Sequence, residues 1–197
     1  MEYYILDDKY PPIGSGVDRT PGLHLSDILE FIELHMGVKY GTGWDRTQVM
    51  DSGFVWERHL ERTIAEVRCA RIGEVELDGI LMSPDGLGID KDGISTREGK
   101  IIVPPSGKPI LMEYKWTWKS SINMPWDNWR WMTQIKSYLK GVNMDIAIMH
   151  IAYVNGNNRG SGPQYRLCWM RFEQEELDKN WEMIIRNKNK LLEERNE

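Results

Sequence analysis

Cysteine is scarce in this chain. Cys69 and Cys168 are the only two, too few for a four-cysteine zinc or iron–sulfur site and no basis for a disulfide scaffold. A reducing cytoplasm is the default compartment. No apolar run approaches the ~20 residues of a membrane span, and no charged-then-apolar leader opens the chain, so no membrane partner is expected. An excess of positive charge is missing too. Lys and Arg number 25 against 30 Asp and Glu, a formal net charge of −5, which argues against coating nucleic acid by bulk electrostatics. It leaves room for an enzyme whose carboxylates hold metal ions and whose basic groups act locally. Internal repeats and low-complexity tracts are also absent. What remains is 197 residues, 41% hydrophobic and 28% charged, the size and balance of one globular domain. Tryptophan runs the other way: there are nine, five of them between Trp116 and Trp131.

Residues 1–24 mix aromatics, prolines and glycines without periodicity and predict an extended arm. Ser26 reads as an N-cap, with Asp27 and Glu30 in the first turn, Ile28, Leu29, Ile32 and Met36 at helical spacing, and Gly37 as the stop. A longer helix is expected over 47–69, its stripe carried by Phe54, Leu60, Ile64 and Val67. Glu57 and Glu61 lie four apart on it, and His59 reads as structural or exposed. Residues 74–82 alternate as a strand, followed by Ser83-Pro84-Asp85-Gly86. Asp-Gly recurs at 78–79, 85–86 and 92–93, a turn signal each time. Asp90 and Asp92 before Gly93 suggest a calcium loop, but its other ligand positions and closing glutamate are missing. Residues 94–108 form a polar, proline-bearing excursion.

Residues 109–119 then carry the most chemistry. Ile110, Leu111 and Met112 run into Glu113, Tyr114 and Lys115, a short apolar run that reads as a buried strand. Alternation puts Glu113 and Lys115 on one face and Tyr114 on the other, the first two roughly 6–7 Å apart along the strand. Burying a carboxylate and an ammonium is costly without a partner or a metal. Glu-x-Lys is nevertheless a common tripeptide whose ordinary role is a surface ion pair, and a second copy at Glu98-Gly99-Lys100 reads as a solvated turn. Pro125 and Asp127 introduce a helix that ends at Gly141, its buried stripe Met132, Ile135 and Leu139, with Gln134 and Tyr138 flanking it. A nearly all-apolar strand over 145–154, a flexible loop, a strand over 164–172 and a charged helix over 173–195 follow, the helix with Leu177, Trp181, Ile184, Ile185 and Leu191 inward. The order predicts an α/β domain around a mixed sheet: a single unit with an arm and helix at 1–46, a core at 47–172 and a closing helix at 173–197.

Ser83-Pro84-Asp85-Gly86, Glu113-Tyr114-Lys115 and Gln134-Ile135-Lys136-Ser137-Tyr138 together resemble the PD-(D/E)XK nuclease superfamily. Pro-Asp followed by Glu-x-Lys is that superfamily's signature, and Gln-x-x-x-Tyr on the next helix marks its RecB-like and phage exonuclease branches. Gly53-x-x-Trp56-Glu57 resembles the upstream helical glutamate of lambda-type exonucleases. The resemblance covers roughly residues 50–155 and implies a restriction-endonuclease-like αβββαβ core with a mixed central sheet flanked by helices. The gap from Asp85 to Glu113 exceeds that of compact members, so an insertion is implied. Asp78 rivals Asp85; the latter carries the Pro-Asp pair and follows a complete strand.

What the resemblance implies is a metal-dependent DNA exonuclease of phage or bacterial recombination and repair, acting in the cytoplasm of a bacterium or infected host. Asp85 and Glu113, with Glu57 adding to the shell and a backbone carbonyl near Tyr114, would hold one or two Mg²⁺ or Mn²⁺ ions. Lys115 would orient or activate water. Gln134 and Tyr138 would brace the site or touch the substrate, and Trp116, Trp118 and Trp126 could stack on bases, though core and rim packing is the ordinary use of tryptophan. Lys119 and Arg130 are candidate phosphate contacts with an equally good solvated role. Related nucleases that carry an iron–sulfur cluster use four cysteines, so this chain should lack one. A homo-oligomer and a recombination partner protein are compatible with the resemblance. The alternatives are a structure-specific or restriction-like endonuclease, and an inactive nucleic-acid-binding protein on the same fold.

Overall fold

The structure, a computed structural model, describes residues 20–38, 53, 55, 56, 58, 59, 69, 70, 72–89, 94, 95, 101–103, 105–160 and 162–196. A five-stranded sheet organises it, in the order β1 (Cys69–Ala70), β4 (Gly86–Ile89), β7 (Pro109–Thr117), β8 (Ile146–Tyr153), β9 (Gln164–Arg171). Only the β7–β8 pair is parallel. Its crossover is the helix α2 (Trp129–Val142), as a parallel connection requires. The αβββαβ-type core with a mixed sheet, expected from the sequence, is therefore present.

Two faces of that sheet are covered differently. On one, Leu111 of β7 and Ala147, Met149, Ile151 and Tyr153 of β8 pack with Ile135 and Leu139 of α2, Leu25, Ile28 and Leu29 of α1 (Leu25–His35), and Leu177, Trp181 and Ile184 of α3 (Gln174–Asn196). On the other, Ile110, Met112 and Tyr114 of β7 join Ile146 and Ile148 of β8, with Trp56 and Trp169 against them. The stripes read from periodicity for α1, α2 and α3 are buried, except that Met132 and Ile185 are only partly covered and Met36, past the end of α1, is exposed. Phe54, Leu60, Ile64 and Val67 of the helix expected over 47–69 lie outside the described residues.

Several boundaries move. The helix α1 starts at Leu25, not after Ser26: the His24 backbone N–H donates to Asp27 Oδ2 at 3.1 Å, so the cap falls at His24, two residues earlier than expected. The predicted strand 74–82 is a hairpin, β2 (Val75–Leu77) paired with β3 (Ile80–Met82). Asp78 and Gly79 both have positive φ, +50° and +71°, the signature of a tight two-residue turn, and this overrides the alternation. What precedes Asp85 is thus a hairpin and not one complete strand. The excursion after β4 contains a second small pair, β5 (Ile94–Ser95) with β6 (Ile101–Val103). Gly53, Val55, Trp56, Arg58 and His59 are helical, but Cys69 and Ala70 pair with β4, so the helix expected to 69 ends sooner. Pro125–Asp127 form a 3-10 turn, and Asn128 caps α2 by accepting the Trp131 N–H. Asn143, at φ +56°, closes that helix in place of Gly141. Gly141 serves packing instead: a Cβ there would run into the Met82 side chain, so its absence lets the β2–β3 hairpin lie against α2.

Candidate active site

The strand β7 carries the charged pair, and its alternation is the one predicted. Glu113 is 1% exposed on the face toward α2, whereas Tyr114 packs into the opposite cluster. The Lys115 Nζ donates to Glu113 Oε1 at 2.5 Å and to Gln134 Oε1 at 2.9 Å. Gln134 Nε2 in turn donates to the Tyr138 hydroxyl at 2.8 Å. That second bond orients the amide, turning its oxygen rather than its NH₂ toward the ammonium. A buried carboxylate, an ammonium and a braced amide therefore form one continuous network, with the Lys115 side chain 16% exposed at its open end.

Asp85 meets β7 from the neighbouring strand. It immediately precedes β4, whose first residue, Gly86, stands opposite Met112. Beyond that pair β4 no longer lines β7, and the Asp85 Oδ2 takes over, accepting the Tyr114 N–H at 2.7 Å. In an extended chain the N–H and C=O of one residue leave by the same edge. The Tyr114 carbonyl thus faces the edge on which Asp85 stands, next to Glu113 in sequence. Two carboxylates and a carbonyl make a hard-oxygen donor set of the kind Mg²⁺ or Mn²⁺ takes. Among the described residues no three His, Cys, Asp or Glu side chains gather into a group, so the described donors are this pair and the backbone. Glu57, the expected extra ligand, lies outside the described residues.

Asp78 stands elsewhere. Its Oδ2 accepts the Trp181 Nε1–H at 2.8 Å and its carbonyl accepts from Lys188, tying the hairpin to α3. The Pro-Asp pair, not the earlier aspartate, is what the fold brings to the β7 backbone next to Glu113.

The tryptophans divide. Trp116 is on the face of β7 away from Glu113 and Lys115, its ring 5.4 Å from that of Trp56. It forms part of an aromatic layer rather than a surface beside the charged network. Trp118 and Trp126 are exposed, at 37% and 58%. Lys119 lies with its Nζ 5.5 Å from the Trp131 ring centre, and burial pushes its ammonium below the ordinary lysine range while Glu33 pulls it back up. His59 is exposed, as read, with its ring 5.7 Å from Trp56.

Two arrangements escaped the sequence. Arg130 pairs with Glu33 across the α1–α2 gap, a contact between residues 97 apart. On the far face, His150 Nδ1 meets the Tyr165 hydroxyl, and His150 Nε2 is buried with no hydrogen-bond partner among the described residues. Burial holds the His150 imidazole down to about 4 and pushes the Tyr165 phenol up to about 12. No local pattern announces either contact, because both depend on which strands and helices become neighbours.

No protein-family profile matches the sequence, and no curated protein matches it. Solved structures do. LHK-Exo in complex with dAMP aligns at a TM-score of 0.51 with 13% identity, over 88% of this chain and 89% of that one. The alkaline exonuclease LHK-Exo from Laribacter hongkongensis also aligns without that ligand at 0.48 and 13% identity, over 86% and 80%. A phage-related exonuclease from Haemophilus somnus 129PT aligns at 0.48 and 13% identity, over 86% and 82%. The chain therefore has the exonuclease-type, restriction-endonuclease-like α/β fold. Among the described residues no helix is long and apolar enough to cross a membrane.

Proposed function

We propose that this protein is a metal-dependent DNA exonuclease of the PD-(D/E)XK superfamily, in its RecB-like or lambda-type phage exonuclease branch. Its work is phosphodiester hydrolysis during phage or bacterial recombination and repair, in the cytoplasm of the bacterium or infected host. The observation that carries the reading is the buried Glu113–Lys115–Gln134 network with Asp85 clamped to the next backbone N–H. A structural ion pair would need neither the clamped second carboxylate nor the braced amide. The structurally similar LHK-Exo is an alkaline exonuclease solved with a nucleotide, which supports a nucleic-acid substrate here.

Asp85, Glu113 and the Tyr114 carbonyl would hold one or two Mg²⁺ or Mn²⁺ ions, with Glu57 as a further candidate. Bound there, such an ion offsets phosphoryl charge and makes hydroxide accessible near neutral pH. The protein's own groups do the rest. Lys115 presents an ammonium at the open end of the network, where it orients the attacking water and meets charge developing on the phosphate. Glu113 keeps that ammonium in place on one side and Gln134 on the other, so little reorganisation is needed at the moment of reaction. Tyr138 fixes the amide. The aromatic layer behind Tyr114 excludes water from the other side of the strand.

The test compares covalently closed circular DNA with the same DNA linearised, in Mg²⁺ or Mn²⁺ and in EDTA. Exonuclease action predicts loss of the linear form only, and only with metal. Equal cutting of both forms replaces this reading with the endonuclease alternative. No cutting of either by folded protein, with DNA still bound, points to the inactive binding protein.

A further inference from the structure

The ion pair between Arg130 and Glu33 lies beside the network just described, in a position that a salt link between two helices does not by itself explain. Arg130 is one helical turn before Gln134 on α2, about 6 Å along the axis, and so on the same face. It lines the small cleft that also contains Ser83, Gln134 and Tyr138. It also lines a larger cleft of about 330 Å³, together with Lys119, Asn123, Trp131 and Glu33, within the range of ligand-sized sites. The guanidinium is thus on the wall between the two. Its side chain is 32% exposed, whereas that of Glu33 is 12% exposed. Glu33 also acts on Lys119, which is half-buried and desolvated. One sheltered carboxylate therefore faces two cations in the larger cleft. Asp127 lines it too, so that cleft carries two positive and two negative side chains.

We infer that Arg130 grips a backbone phosphate next to the scissile one, and that Glu33 is the internal competitor this phosphate displaces. The inference rests on the nuclease reading. A strand whose scissile phosphate meets Lys115 has its neighbouring backbone one turn along α2, within reach of the guanidinium. Phosphate and carboxylate present the same planar pair of oxygens to that fork. Glu33 holds Arg130 extended and ready, and at the same time lowers its net attraction for DNA. It is a positioning residue that sets affinity. In a chain of net charge −5, a cation released only when a phosphate arrives favours a threaded strand over diffuse contact with duplex.

Opposite effects from the two partners distinguish this from a purely structural pair. Binding of a fluorescein-labelled linear duplex is measured in EDTA, to prevent cleavage, across a salt series, for the wild type, Glu33→Gln, Arg130→Gln, Arg130→Lys and the Glu33→Gln/Arg130→Gln double variant. Glu33→Gln is expected to bind about fivefold more tightly. Arg130→Gln is expected to bind about tenfold more weakly with a salt slope shallower by about one, and the double variant to match it. Arg130→Lys, which keeps the charge, retains the slope even if the Gln variant folds poorly. Binding by Glu33→Gln that is unchanged or weaker, in protein that melts normally, overturns the inference and leaves the nuclease reading standing. Wild-type protein that binds no DNA in EDTA overturns the inference, and one that also leaves linear DNA uncut in Mg²⁺ or Mn²⁺ overturns the nuclease reading as well.

Discussion

Asp85 and Tyr114 are joined by a 2.7 Å hydrogen bond in which the backbone N–H of the strand donates to the carboxylate. The bond continues the β4–β7 ladder by one rung with a side chain in place of a strand. It fixes an acid at the edge where the Tyr114 carbonyl also points. Asp85→Ala is expected to lower cleavage at least ~10²-fold and to cost about 1 kcal/mol of stability. Asp78→Ala loses the Trp181 bond and places alanine at φ +50°, so it should cost about 1–2 kcal/mol while folded protein still cuts. Cleavage rates and melting of the two variants side by side decide which aspartate belongs to the site; the reverse pattern would hand the role to Asp78.

Glu113→Gln and Lys115→Ala should each abolish measurable cleavage, a loss of roughly 3–4 kcal/mol or more of transition-state stabilisation. Their stability effects should differ. Lys115→Ala leaves the buried Glu113 carboxylate without its counter-ion, whereas Glu113→Gln removes the buried charge and keeps an acceptor. Unfolding in urea is therefore expected to show a larger loss for Lys115→Ala. Wild-type activity in folded Lys115→Ala protein would defeat the mechanism.

In the proposed mechanism Gln134 and Tyr138 act through Lys115. Gln134→Ala takes away one of the acceptors that hold the ammonium, and about a tenfold fall in kcat is expected with KM little changed. Tyr138→Phe removes the acceptor that orients the amide, and about a threefold fall should follow. In the Gln134→Ala background the Tyr138→Phe change should add nothing, because there is no amide left to orient. A mainly KM effect would place these residues on the substrate instead.

His150 predicts an acid-side loss of stability. Its imidazole is held neutral to about pH 4, against 6.5 when unfolded. Between those values the unfolded chain takes up a proton that the folded chain refuses, so stability is intact above 6.5 and falls as pH drops toward 4. The full effect of that difference is about 3 kcal/mol for a buried ring. Melting temperatures at pH 7 and pH 5 should differ more for the wild type than for His150→Gln; parallel curves would exclude His150 as the cause.

Most elements, the Glu113–Lys115 pair and the Gln134–Tyr138 pair were legible in the sequence because each rests on a short-range rule. Period two put Glu113 and Lys115 together, and helical spacing put Gln134 beside Tyr138. The rule failed where two local signals competed: alternation over 74–82 argued for one strand, while Asp78-Gly79 argued for a turn, and the turn prevailed. Trp116 shows another limit. By sequence it is a candidate for stacking on bases, yet one step along a strand from Lys115 reverses the face, and its ring lies against Trp56. The Glu33–Arg130 pair needs α1 and α2 to meet, and no spacing rule encodes that.

β7 divides its side chains between two duties by odd and even position. Leu111, Glu113 and Lys115 lie toward α2, and Ile110, Met112 and Tyr114 lie in the opposite apolar layer. Selection acting on this strand therefore follows two separate criteria within one run of residues. Even positions are free to exchange one apolar side chain for another of like volume, provided the layer stays filled. At 113 and 115, by contrast, only another acid and another amine keep a carboxylate beside an ammonium. Over evolutionary time the strand should diverge in a stripe, changing at alternate residues and standing still between them, so that distant relatives share every second letter and little else.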